Sequence, residues 1–401
     1  MTEKTFKFKK YQFNPRTGVV LFDYALGKHH FREKLIFPAV KNKLDKNQLR
    51  ALDLALFNLF LIAGISYYKT SCPKKIDLGQ YRLSKEQATF WNKVYTKGLG
   101  EFFYRNKIDF RGLINFPSAK EYTVKPIKIK MPNRTLVPIG GGKDSIVVAE
   151  LLKQRKKKFE LIYLGQSTLV DEVVKVVDRP LIRVERYLSP NLFVLNKKPG
   201  VYNGHIPISV YYSLLDVAAT VLYGYNEIIL GNEKSANYGN VKYLGMTINH
   251  QWSKSLEFEK MFSSYIKKFI TPSVKYYSLL RQKTELEIVG EFVKYKKYFP
   301  VFSSCNTNFK ITKKAKQRWC GECPKCVFVW TMLSAYLKKE ELLVIFGKNL
   351  YADQKLKSLF RELLGQKNIK PFECVGTPSE MKRAMKMAGK NFKEEIEKLK
   401  L

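Results

Sequence analysis

Apolar and polar residues alternate through residues 6–13 and again through 19–24. The five residues between them, Asn14-Pro15-Arg16-Thr17-Gly18, have the composition of a hairpin turn. The period then lengthens. Residues 46–63 and 84–103 repeat their apolar positions at helical spacing, and 121–131 returns to alternation and reads as an extended stretch. From Arg134 the pattern becomes strand–helix–strand. Short continuous apolar runs at 135–139, 159–164, 181–185 and 227–230 predict strands, and 145–154 and 208–223 predict helices between them. Strands apolar on both sides, joined by helical crossovers, imply an α/β fold: a parallel sheet with helices on both faces. Ligands on such sheets bind at the carboxyl ends of strands, here residues 140–145 and 231–237.

The first of these ends carries the sharpest chemical signal, Gly140-Gly141-Gly142-Lys143-Asp144-Ser145. A glycine-rich turn that opens a helix exposes unpaired N–H groups at the positive end of the helix dipole, and phosphate is attracted there. Asp144 can hold magnesium against the phosphates, and Ser145 can donate to a phosphate oxygen. The spacing is not that of a Walker A loop, because Asp144 separates Lys143 from Ser145. It resembles the pyrophosphate-binding loop of the PP-loop ATP pyrophosphatases, Ser-Gly-Gly-x-Asp-Ser, with Gly140 in place of the first serine. That resemblance implies ATP as the nucleotide, cleaved between its α and β phosphates, and a sheet of the adenine nucleotide alpha hydrolase-like kind.

Composition bounds the rest. A chain of 401 residues suggests more than one domain, and 45% hydrophobic residues can bury a sizeable core. Residues 1–10 lack the apolar core of a signal peptide, and the apolar runs 51–65 and 206–223 are interrupted by Asp53, Asn58 and Asp216. Both runs read as buried helices, which gives the expectation of a cytoplasmic protein with no membrane partner. The net charge of +37 first suggests nucleic acid. The lysines are scattered along the whole chain, however, so a generally basic surface suited to small anionic substrates is the preferred reading.

Three of the six cysteines fall in Trp319-Cys320-Gly321-Glu322-Cys323-Pro324-Lys325-Cys326. Thiols at Cys-x-x-Cys-x-x-Cys spacing can reach one tetrahedral zinc, with glycine and proline shaping a knuckle. Cys305 is the natural fourth ligand and Cys374 the alternative. An iron–sulfur cluster is the competing metal reading. The resulting organisation is an N-terminal α+β domain at 1–130 and an ATP-binding PP-loop domain at 131–300. A C-terminal zinc knuckle with helices follows at 301–378, and a basic surface helix at 379–401.

Loop and knuckle together also occur in the queuosine-precursor synthases, which are shorter. A broader resemblance, over residues 10 to 376, is to the UDP-N-acetylmuramoyl-L-alanyl-L-glutamate epimerases of peptidoglycan synthesis. It is carried by Gly64-Ile65-Ser66-Tyr67-Tyr68-Lys69, Gly98-Leu99-Gly100-Glu101-Phe102, the glycine loop, Asn203-Gly204-His205-Ile206-Pro207, Asn232-Glu233-Lys234-Ser235-Ala236, Asn249-His250-Gln251-Trp252-Ser253-Lys254-Ser255, the knuckle, and Lys370-Pro371-Phe372-Glu373-Cys374-Val375-Gly376. The resemblance implies ATP-dependent inversion of the terminal L-glutamate of a UDP-muramoyl dipeptide, with release of AMP and pyrophosphate. Such a reaction needs an acid and a base at the α-carbon. His29, His30, His205 and His250 are the four histidines. His205 and His250 stand in the richest polar clusters and are the candidates, with Lys143 and Glu233 beside them and Lys234, Lys254 and Glu257 as alternatives. Tyr67, Tyr68 and Lys69 are read either as a grip on sugar, uracil or carboxylate or as packing at a buried helix end. The competing function is a PP-loop enzyme that adenylates a nucleobase, of the tRNA-modifying kind.

Overall fold

Among the described residues nine strands line up in one sheet, with the first four in one part of it and the later strands in the other. They are β1 (Thr5–Asn14), β2 (Val19–Leu26), β3 (His29–Ile36), β4 (Lys75–Asp77), β5 (Thr135–Pro138), β6 (Phe159–Leu164), β7 (Leu181–Tyr187), β8 (Glu227–Leu230) and, after the separate hairpin β9 (Val241–Tyr243) and β10 (Met246–Ile248), β11 (Lys275–Ser278). The order is β11-β8-β5-β6-β7-β3-β2-β1-β4. This computed structural model describes residues 4–40, 43–309, 317–367 and 369–399.

From β11 to β7 the strands are parallel. The four predicted strands of this part are β5 to β8, and β11 adds an edge whose residues, Lys275-Tyr276-Tyr277-Ser278, lack the apolar run of the others. Order reverses at β5: the chain builds β6 and β7 on one side, then returns to lay β8 and β11 on the other. At such a switch point the loops leaving the two central strands diverge and open a crevice. Gly140 to Gly142 leave β5 there, and Gly231 to Glu233 leave β8.

Strand pleating hands alternate residues to two separate cores. Leu136, Ile162 and Ile228 join a core built from the N-terminal strands and the helices Lys46–Ala63, Ile208–Tyr223 and Leu256–Phe269. Val137, Leu161 and Ile229 join a second core with the helices Lys143–Gln154, Glu285–Phe292, Pro324–Ser334 and Pro378–Lys398. The sheet is therefore covered on both faces, which is why its strands read as continuous apolar runs.

The two long apolar runs become neighbouring helices, Lys46–Ala63 packing on Ile208–Tyr223. An Asp45–Gln48 capping box starts the first of them. Lys46–Tyr68 is, among the described residues, the one stretch long and apolar enough to cross a membrane, and 78% of its apolar window is buried inside the protein. Helices apolar nearly all round are what a core needs at its centre.

The N-terminal hairpin forms as its turn composition implies. Asn14 Oδ1 accepts from Arg16 and Thr17 N–H, and Gly18 takes φ +69° where a Cβ would lie 2.1 Å from Phe37 O. One strand was not foreseen, and two expectations, the single helix over 84–103 and the tail as a plain surface helix, need correction. A third N-terminal strand, β3, pairs antiparallel with β7 and fuses the N-terminal meander to the parallel sheet. Its inward residues are Phe31, Glu33 and Leu35, and the charged Glu33 disguised the alternation. The helix expected over 84–103 breaks at Leu99 into Lys85–Gly98 and Gly100–Arg105. Gly98 sits so close to Pro207 that a Cβ would lie 2.6 Å from its ring. Residues 121–131 run extended without a ladder, held instead by Ile127 N–H on Ile270 O (2.9 Å) and Ile129 N–H on Ser273 Oγ (3.1 Å). The tail helix is no free surface helix: Met381, Ala384, Met385, Ala388 and Phe392 bury one face against Pro324–Ser334. Residues 400 and 401 of the tail lie outside the described residues.

Glu33 shows how a buried charge is held. It is fully buried and accepts from Tyr67 Oη (2.9 Å), Tyr211 Oη (2.9 Å) and Arg186 Nε (2.8 Å). A buried carboxylate needs such complete pairing. Tyr67 is thereby committed to this core, and Tyr68 donates to Pro73 O, so both are packing residues.

Candidate active site

Helix Lys143–Gln154 begins directly at the glycine loop, and its N-cap, Gly142, supplies no side-chain cap. Its first N–H groups are left for whatever occupies the crevice, the arrangement that suits an anion. Gly141 takes φ +80°. A Cβ on Gly140 would meet open space, whereas one on Gly231 would lie 3.0 Å from Asp144 O. The β8 loop can therefore close on the glycine loop only as glycine. In front lies a cleft of about 420 Å³ lined by both loops, by Ser209, Tyr212 and Asp216, and by Lys254, Lys325 and Cys374.

Charge is concentrated beneath and beside this cleft. Lys143 is buried and pairs with Asp144 Oδ1 (2.5 Å) and with the buried Glu285. Burial opposes the lysine's charge, and these two carboxylates outweigh it and raise its pKa. Asp144 keeps part of its side chain exposed to the cleft; burial opposes its charge too, but Lys143 and Lys325 hold its pKa down. Glu233 meets the reverse balance. Burial, then the charges of Glu285 and Asp144, push its carboxyl up to about 7. Asp216 is buried, its Oδ2 has no protein partner, and burial raises its pKa well above the usual range. It presents a neutral carboxyl to the cleft.

His205 and His250 come together although 45 residues separate them in the chain. Their rings lie 4.5 Å apart, and Glu101 Oε2 is 2.5 Å from His250 Nδ1 and 3.6 Å from His205 Nδ1. The break at Leu99 starts the short helix that carries Glu101. Lys69 donates to Asn203 Oδ1 (3.0 Å) and Gly204 O (2.6 Å) and so pins the segment before His205. Burial lowers the Lys69 pKa to about 8. The two histidines titrate apart. Burial and the neighbouring His250 lower His205 to about 3, leaving it neutral. For His250 burial also lowers the pKa, but bonds to Cys374 and Glu101 raise it to about 9, leaving it cationic. Neither ring lines the cleft itself.

The other sequence candidates separate clearly. Lys254 enters the cleft, its Nζ 3.3 Å from Cys374 Sγ. Glu257 turns away to Lys93 (2.7 Å) and Lys97 (2.9 Å), and Lys234 is exposed. His29 and His30 lie on β3, outside the cleft.

The knuckle thiols converge as a group of four. Sγ atoms of Cys305, Cys320, Cys323 and Cys326 all lie within 4.8 Å of one another, with Cys320–Cys326 at 3.7 Å and Cys323–Cys326 at 3.5 Å. Thiolates around a zinc at ~2.3 Å stand roughly 3.8 Å apart, so the four fit that metal. N–H groups of Cys320 and Glu322 point at the sulfurs of Cys305 and Cys320 (both 3.4 Å), as suits charged thiolates. Cys374 is not part of the group. The knuckle also serves the cleft: Lys325, between two of these cysteines, donates to Cys374 O.

Residues 1–279 match the model of the MurL N-terminal domain, and residues 301–398 that of the MurL C-terminal domain. The chain belongs to the MurL family. The second match runs to residue 398, so family likeness includes the tail helix and not only residues up to 376. Two curated MurL relatives carry the name UDP-N-acetyl-alpha-D-muramoyl-L-alanyl-L-glutamate epimerase. The protein of Xanthomonas oryzae pv. oryzae is 37% identical over 383 residues, covering 95% of this chain and 85% of the relative. That of Salinispora tropica is 36% identical over 391 residues, covering 96% and 84%. Epimerases are isomerases, and that is the enzyme class of this family.

Several residues in and around the cleft escaped the sequence reading. Glu101 stood inside a quoted motif, yet nothing in its spacing linked it to two histidines more than 100 residues away. Asp216 lay in a helix that read as buried scaffold, Lys325 stood in the knuckle and was read only as its spacer, and Glu285 fell in a stretch to which no element was assigned. Cys374 was considered only as a metal ligand.

Proposed function

We propose that the chain inverts the terminal L-glutamate of UDP-N-acetylmuramoyl-L-alanyl-L-glutamate to D-glutamate, at the expense of ATP, through a carboxyl adenylate, releasing AMP and pyrophosphate. One observation carries the reading: in a chain of this family, an uncapped glycine-rich helix start and the ionisable groups of Glu233, Lys254 and Asp216 share one cleft at a sheet switch point.

The chemical difficulty is the α-proton. A carbanion beside a free carboxylate brings two negative charges together. Joining that carboxylate to AMP removes one charge and lets the carbanion spread into the carbonyl as an enolate. Gly140, Gly141, Gly142 and Ser145 would cradle the phosphates as a PP-loop, using the free N–H groups of the helix start. Magnesium would be held by Asp144, and it supplies charge neutralisation to a departing pyrophosphate. Lys143, tied to Asp144 and Glu285 under the loop, sets the charge of that ligand and holds the loop in place. Asp216, neutral and unpartnered, is a ready donor to a base or ribose in the cleft. Glu233 is protonated up to near neutrality and suits the proton-transfer half of the reaction. Cys374 and Glu101 hold His250 as a cation at the edge of the cluster. The four-cysteine group would hold a structural zinc, since four thiolates leave no open position.

The test is direct. Purified protein is given ATP, magnesium and the L,L-dipeptide nucleotide, and the glutamate freed by acid hydrolysis of the nucleotide product is analysed for chirality beside AMP and pyrophosphate. D-glutamate and AMP are expected. Asp144→Ala should lower AMP release at least about 100-fold, the size of losing a preorganised charge at the leaving group. ADP as product, or undiminished turnover by the variant, would overturn the loop assignment. AMP formation that depends on RNA would transfer the chain to the nucleobase-adenylating class.

A further inference from the structure

The carbon next to an activated carboxylate must sit within three bonds of the phosphorus it is joined to, beside the glycine loop. A base for that carbon has to line the same cleft. His205 and His250 do not line it, whereas Cys374 does. Its half-buried thiol faces the cleft between two cations, with Lys254 Nζ at 3.3 Å and His250 bonded to the sulfur. The strap that carries it is anchored on both sides. Lys325 donates to Cys374 O, Gln251 Nε2 donates to Val375 O (3.1 Å), and Asn240 Nδ2 donates to Pro371 O (2.8 Å). Gly376 permits the close packing: a Cβ there would lie 2.8 Å from Glu380 Oε2 and 2.9 Å from Phe328. No structural metal claims the thiol, since the knuckle completes its four with Cys305.

We propose that Cys374 is a catalytic base of the epimerisation, its thiolate exchanging the glutamate α-proton on one face while Glu233 serves the other. The inference rests on the activated-carboxylate reading above. As the Cα–H bond breaks, an S–H bond forms on Cys374, and the electron pair of the broken bond passes into the activated carbonyl as an enolate. When that pair returns, a new Cα–H bond forms on the opposite face with the proton of the Glu233 carboxyl, which becomes a carboxylate. One proton is taken and one given, and exchange with solvent resets both groups. Burial opposes a charged sulfur, but Lys254, His250 and Lys325 outweigh it and hold the Cys374 thiol well below the ordinary thiol range. His250 is on this account a positioning residue that keeps the sulfur ionised, with Glu101 keeping His250 cationic in turn.

The experiment uses full-length protein with Cys374→Ser and Cys374→Ala, ATP, magnesium and each epimer of the dipeptide nucleotide in D2O. AMP release, deuterium at the glutamate α-carbon and zinc content are read together. Epimerisation should fall on the order of 100- to 10,000-fold, the usual worth of a proton-transfer group. AMP release should stay within about threefold, because the phosphate-facing groups are intact. Deuterium exchange should be lost with one epimer and kept with the other, since the opposite group still works on its own face. Exchange retained with both epimers overturns the proposal. Parallel loss of AMP release and of exchange with both epimers also overturns it, marking a merely structural thiol. Should the variants lose zinc and melt, wild-type protein alkylated at Cys374 with iodoacetamide is put through the same assay and judged by the same outcomes. A wild type that exchanges without forming AMP refutes the activation chemistry and leaves the thiol test standing. A wild type with no exchange overturns both.

Discussion

Replacing Glu233 by glutamine should make the protein more stable, and more so as the pH rises. Glu233 is 5% exposed at the end of β8, and burial together with Glu285 and Asp144 pushes its pKa from 4.5 to about 7. Each unit of that shift corresponds to about 1.4 kcal/mol, so holding the ionised form in the fold costs about 3 kcal/mol. The sign follows from which state binds the proton more tightly. The folded pKa is the higher, so this group's full stability is present below pH 4.5. It is lost as pH rises toward 7, where the folded form must ionise too. About 1 kcal/mol is gone near pH 5 and about 3 kcal/mol near pH 8. Glutamine never ionises and escapes this loss. The advantage of Glu233→Gln over wild type should therefore grow by about 2 kcal/mol between those two conditions, roughly 2 °C in melting temperature for a chain of this size. Thermal melts of both proteins at the two pH values and one ionic strength measure it. The same variant should epimerise far more slowly, as expected where a strained charge is kept for function. An equal shift at both pH values, or a variant less stable than wild type near pH 8, would refute the electrostatic reasoning.

Two further outcomes follow from the buried charges and thiols. Cys323→Ser should lose bound zinc in elemental analysis and on the order of 5 kcal/mol of stability, because metal affinity in such a group is folding free energy; normal stability without metal would refute the zinc reading. Glu33→Ala strands Arg186, Tyr67 and Tyr211 at the seam between β3 and β7, and should cost about 3–5 kcal/mol in denaturant melts, against under ~1 kcal/mol if the network were dispensable.

What the sequence alone determined is whatever depends on short spacing. The glycine loop, the helix behind it and the three-thiol knuckle are each written within a few residues, since N–H exposure and metal reach are local properties. Continuous apolar runs marked β5 to β8 because both faces of those strands are covered. Only the tertiary structure decided the rest. It brought Glu101 to His250 across 149 residues and Lys254 to Cys374 across 120, and both pairings follow from how two cores clamp one sheet. It selected Cys305 over Cys374 as the fourth thiol, which released Cys374 to the cleft. It made Glu33, to which the sequence reading gave no role, the buried knot between sheet halves. A buried charge is tolerated only where distant partners meet it, so its meaning cannot be read until packing has chosen those partners.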